Sequence, residues 1–181
     1  MIYVALLRGI NVGGAHTVPM ADLRRTFEAL GHLDVATYIN SGNVLFGSAE
    51  HDELAMAGRI ENAVEQGFGF APRVLVRTGA DIRAIAAAIP EAWTNGPAMR
   101  ADVVYVLDGV DARAASAQLE PRAGIEHVRH APGAFIWMVD RRDATRSRLA
   151  RMAGTPLYKQ ATVRNINTAR KLAAMVADRQ E

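Results

Sequence analysis

The chain has 181 residues, half of them apolar and 22% charged, with 15 Gly, 7 Pro and no Cys. This predicts one ordinary domain, or two small subdomains sharing a core, burying roughly 70% of the unfolded surface without staples. It excludes a disordered or fibrous chain, disulfides and thiolate chemistry, and no apolar run approaches the ~20 residues of a membrane span. The first apolar run, residues 2–7, has no basic stretch before it, so no secretory signal and a cytoplasmic protein are expected.

The net charge of +2 conceals an asymmetry, because residues 1–140 carry 11 basic and 16 acidic side chains whereas residues 141–181 carry 10 and 3. Of the 21 basic residues, only Lys159 and Lys171 are lysine. Such a basic quarter fits an electrostatic footprint for phosphate or nucleic acid. It also fits a solvated helix face formed by Arg141, Arg142, Arg146, Arg148 and Arg151.

In chain order, residues 2–7 form a continuous apolar run, the pattern of a strand buried on both faces. Pro19 suits a first helical position, Met20, Leu23, Phe27 and Leu30 follow at helical spacing, and Gly31 supplies a stop. Residues 35–39 and 44–46 read as strands around the hairpin turn Asn40-Ser41-Gly42-Asn43. Leu54, Ala57, Ile60 and Val64 mark a second helix, with Gly67 as its expected end, and residues 74–77 a fourth strand. The order is β-α-β-β-α-β, the ferredoxin-like arrangement.

Thr78 and Asp81 then resemble a capping box before a helix carrying Ile82, Ile85 and Ile89. Residues 90–100 read as a linker between a first subdomain, 1–89, and a second, 101–181. The second half repeats the start: strand 102–107, helix 111–119, strand 125–129, the turn Pro132-Gly133, strand 135–139 and a helix from Asp143. No residue-level repeat is visible. A last helix with Ala169, Leu172, Ala173 and Val176 on its apolar stripe begins around residues 165–167. The expected fold is therefore α+β, with two packed subdomains. The first is ferredoxin-like and the second of related βαββα order with C-terminal helices.

Residues 6–14 lead from the first strand toward the first helix. Gly13-Gly14 permits positive φ and close backbone approach, as in anion-binding loops. Gly9 to Gly14 has P-loop spacing, but Ala15-His16 stands where Lys-Ser/Thr is required, so no Walker-type site is expected. A tight strand-to-helix turn explains the same residues. Split-βαβ topology would bring Arg8, Asn11 and Gly13 to the rim that holds Asn40, Ser41 and Asn43. A guanidinium, amides and a hydroxyl there would suit carboxylate or phosphate; hairpin shaping by Asn40 and Asn43 is the alternative. A third group, Arg164, Asn165 and Thr168 with Lys171, flanks a helix start, where anion binding and plain capping are both open. The boldest expectation joins the two groups into one composite pocket.

Other chemistry is thinly supported. The five His form no H-x-x-x-H, and no metal site or cofactor is expected. There is no paired-acid site and no G-x-S-x-G. Tyr3 and Phe46 do not make an RNA-recognition pattern and read as core.

Residues 6–14, 18–23 and 38–46 resemble the bacterial family known as domain of unknown function 1697, and residues 162–172 are similar to its C-terminal signature. The resemblance spans essentially the whole chain. It implies a small bacterial protein of two packed α+β subdomains with no assigned activity. Two stretches depart from the family pattern: Ala15-His16-Thr17, where members often carry basic residues, and Ile166, where an aromatic is common.

Three functions compete. The first is a binding or regulatory protein for a small anionic ligand, received by Arg8, Asn11, Gly13, Gly14, Asn40, Ser41, Asn43, Arg164, Asn165, Thr168 and Lys171. The second is an enzyme acting there by positioning and electrostatics. The third is RNA or protein association through the Arg-rich C-terminal part. No membrane partner is expected, and the sequence gives neither ligand nor oligomeric state.

Overall fold

The computed structural model of the chain describes residues 1–14 and 16–179. They divide into two compact units, the first Met1–Ile82 with Met175–Glu181 and the second Arg83–Ala174. No described helix is long and apolar enough to cross a membrane.

The first unit runs β1 (Ile2–Arg8), α1 (Met20–Ala29), β2 (Leu33–Tyr38), β3 (Asn43–Gly47), α2 (Glu53–Phe68), β4 (Arg73–Thr78) and the start of α3 (Gly79–Ala87). Its sheet has the order β2-β3-β1-β4 with every pair antiparallel. β1 is central, as a six-residue apolar run requires. Tyr3, Ala5 and Leu7 point to the helices and share one core with Val44, Phe46, Val74, Val76, Leu23, Phe27 and Ile60. Phe27 meets Phe46 edge-on at 5.3 Å between centroids. Burying each such ring contributes about 1.5–3 kcal/mol. Strand alternation sends Val4, Leu6, Leu45, Leu75 and Arg77 to the opposite face, and all five are buried there too.

Helix ends follow local chemistry. The Asp52 side chain accepts from the Ala55 amide and caps α2. α2 continues past Gly67 and stops at Gly69, whose left-handed backbone (φ 80°) closes the last turn. The expected end at Gly67 is corrected accordingly: a glycine can stay inside a helix, and only the one placed left-handed ends it.

The second unit runs β5 (Met99–Val106), α4 (Ala112–Gln118), β6 (Glu126–Ala131), β7 (Ala134–Asp140), three 3₁₀ segments (Arg141–Arg146, Arg148–Gly154, Pro156–Gln160), β8 (Ala161–Asn165) and most of α5 (Ile166–Ala177). Its sheet order, β6-β7-β5-β8, reproduces that of the first unit. Val104, Val106, Phe135, Trp137, Leu149, Met152 and Leu157 form its core.

One expectation fails here and one element was missed. No helix starts at Asp143. The buried apolar residues of the segment, Ala144, Leu149, Met152 and Leu157, are spaced five, three and five apart, so no 3.6-residue stripe exists. Ser147, Thr155 and Pro156 interrupt what remains. The exposed arginines are thus on short turns and not on a helix face. The missed element is β8, where the sequence patterning names no strand. Ala161 and Val163 join the core, but the alternate residues, Thr162 and Arg164, are polar and still buried, which hides the strand pattern.

The structure also exposes a repeat that the sequence conceals. Val4 pairs with Arg77 on β4, and Val103 pairs with Arg164 on β8. Each arginine lies on its sheet's other face, is 7–8% exposed, and donates to the carbonyl of the valine before it at 2.9 Å. The next residue, Thr78 or Asn165, caps the following helix by accepting from the amide of Asp81 or Thr168. The hairpin turns correspond as well, since the Leu7 amide donates to Gly42 O at 2.8 Å and the Val106 amide to Gly133 O at 3.0 Å.

Candidate functional site

In the first unit the sheet topology brings the loop after β1 to the β2–β3 hairpin. Asn11 makes the junction. Its Nδ2 donates to Asn40 O (2.9 Å) and Val18 O (3.0 Å), while its Oδ1 accepts from the Val18 amide (2.7 Å). The Asn11 amide in turn donates to His16 O at 3.1 Å. The loop is thereby closed on itself and fixed to the hairpin 29 residues further on. Asn11 is itself left-handed (φ 53°), a conformation asparagine tolerates better than most residues.

The hairpin is equally determined. Asn43 is fully buried, and its Nδ2 donates to Tyr38 O and to Ser41 Oγ, both at 3.0 Å. Gly42 needs to be glycine: its φ is 76°, and a Cβ would come within 2.9 Å of Leu7 Cβ and Ile10 Cδ1. Ile39 is left-handed (φ 47°), which costs a β-branched residue about 1–3 kcal/mol and marks a conformation the surroundings impose.

Of the expected receptors, Asn11 and Asn43 are thus committed to positioning. Gly13 and Gly14 are exposed, left-handed (φ 61° and 77°) and face open space. Asn40 is exposed, Ser41 is half-buried beside Asn43, and Arg8 is half-buried at the end of β1, paired in register with Arg73. Neither the segment 8–19 nor the hairpin 38–43 contains an acidic residue. Among the polar groups these two segments carry are the Arg8 guanidinium, backbone amides and the Asn40 side-chain amide.

In the second unit Arg164 is held by Thr162 Oγ1 and Val163 O, both at 2.9 Å. Burial pulls its guanidinium down to about 10, and Tyr105 beside it pushes the other way. Asn165 Oδ1 is occupied as the cap on the Thr168 amide (2.9 Å); Thr168 is buried and Lys171 exposed. Sequence reasoning missed Thr162 and Arg77. The shared Val-Arg-Thr/Asn pattern preceding a helix would have found Arg77.

A family model for proteins of unknown function, DUF1697, matches residues 1–137. The chain belongs to the DUF1697 family. That match takes in the whole rim, Arg8 to Asn43, and stops before the Arg164 group. Among solved structures, a conserved bacterial protein, SP0830 from Streptococcus pneumoniae, is similar at 27% identity with a TM-score of 0.81, covering 97% of this chain and 98% of its own. The first two RRM domains of the yeast poly(U)-binding protein Pub1 align at 14% identity over 91% of this chain and 98% of theirs. Their TM-score of 0.25 carries no argument. A comparison with curated proteins returns no match.

Proposed function

We propose that this DUF1697 protein binds a small anionic ligand, phosphate- or carboxylate-bearing, at the rim of the first unit, and acts as a binding or regulatory protein. The observation that carries the reading is the pair of exposed left-handed residues Gly13 and Gly14, in a loop clamped by Asn11 and adjoining Arg8, with no acidic residue in either loop. Glycines in a tight turn leave backbone amides open to close approach, which suits an anion. Asn11 and Asn43 hold the shape beforehand, so ordering the loop adds little cost on binding.

The test is a thermal-shift screen of phosphorylated metabolites, nucleotides and dicarboxylates, followed by titration of each hit against variants. Arg8→Ala removes a charged hydrogen bond worth about 1.5–3 kcal/mol, a loss of about ten- to a hundredfold in affinity. Gly13→Ala strains the backbone in open space and weakens the same ligand. Unchanged affinity in both variants overturns the proposal.

A further inference from the structure

The second unit departs from the repeat between β7 and β8, where three 3₁₀ segments replace the long helix found in the first unit. That departure builds a depression of about 440 Å³, lined by Arg122, Thr145, Arg146, Ser147, Arg148 and Arg151 among others. No acidic side chain is among its lining residues. We infer that this depression is a second anion site, independent of the rim in the first unit, that receives the phosphate group of a small phosphorylated molecule.

The walls are built before any ligand arrives. Glu126, whose side chain is fully buried, accepts at once from Ser147 Oγ (2.8 Å), the Arg148 amide (2.6 Å) and the Arg122 amide (3.0 Å). One carboxylate thus ties the strand-entry segment carrying Arg122 to the turn carrying residues 145–151. The Ser147 hydroxyl also accepts from the Leu149 amide, so Ser147 shapes the wall and is spent.

Arg122, Arg151 and Thr145 supply the donors that remain in the lining. Arg122 Nη2 is buried and has no hydrogen-bond partner among the described residues, so its guanidinium is not fully spent on the protein, and the side chain as a whole is 27% exposed. Arg151 and the exposed Thr145 hydroxyl make no side-chain hydrogen bond or ion pair among the described residues. The other pairings are Arg146 with Asp143 at 3.0 Å, Arg148 with Glu120 at 3.7 Å, and Arg122 Nε with Glu126 at 3.5 Å. Arg146 is 73% exposed and Glu120 78%, so these outer pairs hold little energy and yield readily to a dianion. Arginine forks match phosphate oxygens two at a time.

The same lining argues against a nucleic-acid groove. It contains no aromatic ring, whereas single-stranded nucleic acid needs stacking platforms along a basic track. The volume instead falls in the range of small-molecule sites.

Inorganic pyrophosphate is the probe, titrated calorimetrically into the full chain at low salt. We expect saturable binding that Arg151→Ala weakens about ten- to a hundredfold, and that Arg8→Ala leaves unchanged. Arg151 makes no internal bond, so its variant folds; Arg122→Lys is the second variant, keeping charge but losing the fork, and weakens binding too. No saturable pyrophosphate binding, or binding indifferent to Arg151→Ala, overturns the inference. Loss on Arg8→Ala alone would place the anion at the first rim and leave only that reading standing. A single-stranded RNA that binds with steep salt dependence while pyrophosphate does not would overturn it in favour of a nucleic-acid surface.

Discussion

The two units solve the same topological problem with different second crossovers. In the first, α2 spans 16 residues and lays Met56, Ala57, Ile60 and Val64 on the sheet in a continuous stripe. In the second, residues 141–160 cover the sheet with Ala144, Leu149, Met152 and Leu157 carried on three short turns. A long helix satisfies its own backbone and presents a smooth polar face. The 3₁₀ segments need outside help, which Ser147 and buried Glu126 provide. In exchange they hold arginines around a depression. The lesson is that a shared sheet order fixes where a crossover must begin and end, while the chemistry it carries is set by how regularly it spaces its apolar residues.

If both sheets rest on equivalent cores, truncating each should cost the same. Phe46→Ala and Phe135→Ala remove fully buried rings from the helix-facing sides of the two sheets. Each should destabilise by about 3–5 kcal/mol, read as a shift of the urea midpoint followed by circular dichroism. A much smaller loss for Phe135→Ala would mean that the turns of residues 141–160 collapse into the space where α2 cannot.

The repeated arginines give the next test. Arg77→Met and Arg164→Met each delete a bond to the preceding valine carbonyl on a buried face. Losing a hydrogen bond from a charged group costs about 1.5–3 kcal/mol, and Arg164→Met, which also frees Thr162 Oγ1, should cost somewhat more than Arg77→Met in the same denaturation assay. A neutral result for one and a large cost for the other breaks the correspondence between β4 and β8. Gly42→Ala comes next. Its left-handed backbone and the approach to Leu7 and Ile10 should cost about 1–3 kcal/mol, measured the same way, and loosen the rim that the hairpin supports.

Much of the first unit was legible because each element announced itself. Residues 2–7 had the pattern of a strand buried on both faces, Met20 to Leu30 kept helical spacing, and residues 40–43 held turn chemistry. The closeness of residue 11 to residue 40 followed from topology alone. What Asn11 does there did not, because a capping, bridging or ligand-facing asparagine looks the same in sequence. The second unit was harder for a stated reason. β8 hides behind Thr162 and Arg164, polar residues on a buried face, and residues 141–160 obey neither period. Arg122 escaped notice because its partners, Glu126 and the turn at residue 147, only meet it in the folded chain.

The smallest expected effect is on the pH dependence of stability. His32 in the first unit is 6% exposed and lies 4.4 Å from the Phe46 ring. Burial, and then the charge of Arg59, hold its imidazole below the ordinary histidine value. Glu126 in the second unit would be raised by its burial, but hydrogen bonds from the Arg122 amide, the Ser147 hydroxyl and the Arg148 amide, with the Arg122 charge, outweigh that and hold it low. A group whose folded value is depressed binds its proton more weakly in the folded state than in the unfolded one, so stability rises with pH across the gap. The His32 contribution is therefore complete above about pH 6.5 and is lost as pH falls through the folded value. The Glu126 contribution is complete above about pH 4.3 and is lost below it. Urea midpoints measured against pH should fall in two steps on acidification. His32→Gln should reduce the upper step, to which His130 of the second unit, also held low by burial, contributes, and Glu126→Gln should flatten the lower one. Both tryptophans, Trp93 and Trp137, belong to the second unit, so indole fluorescence should register the lower step directly. A lower step that persists in Glu126→Gln would mean that the carboxylate clamp does not hold the arginine-bearing turn in place.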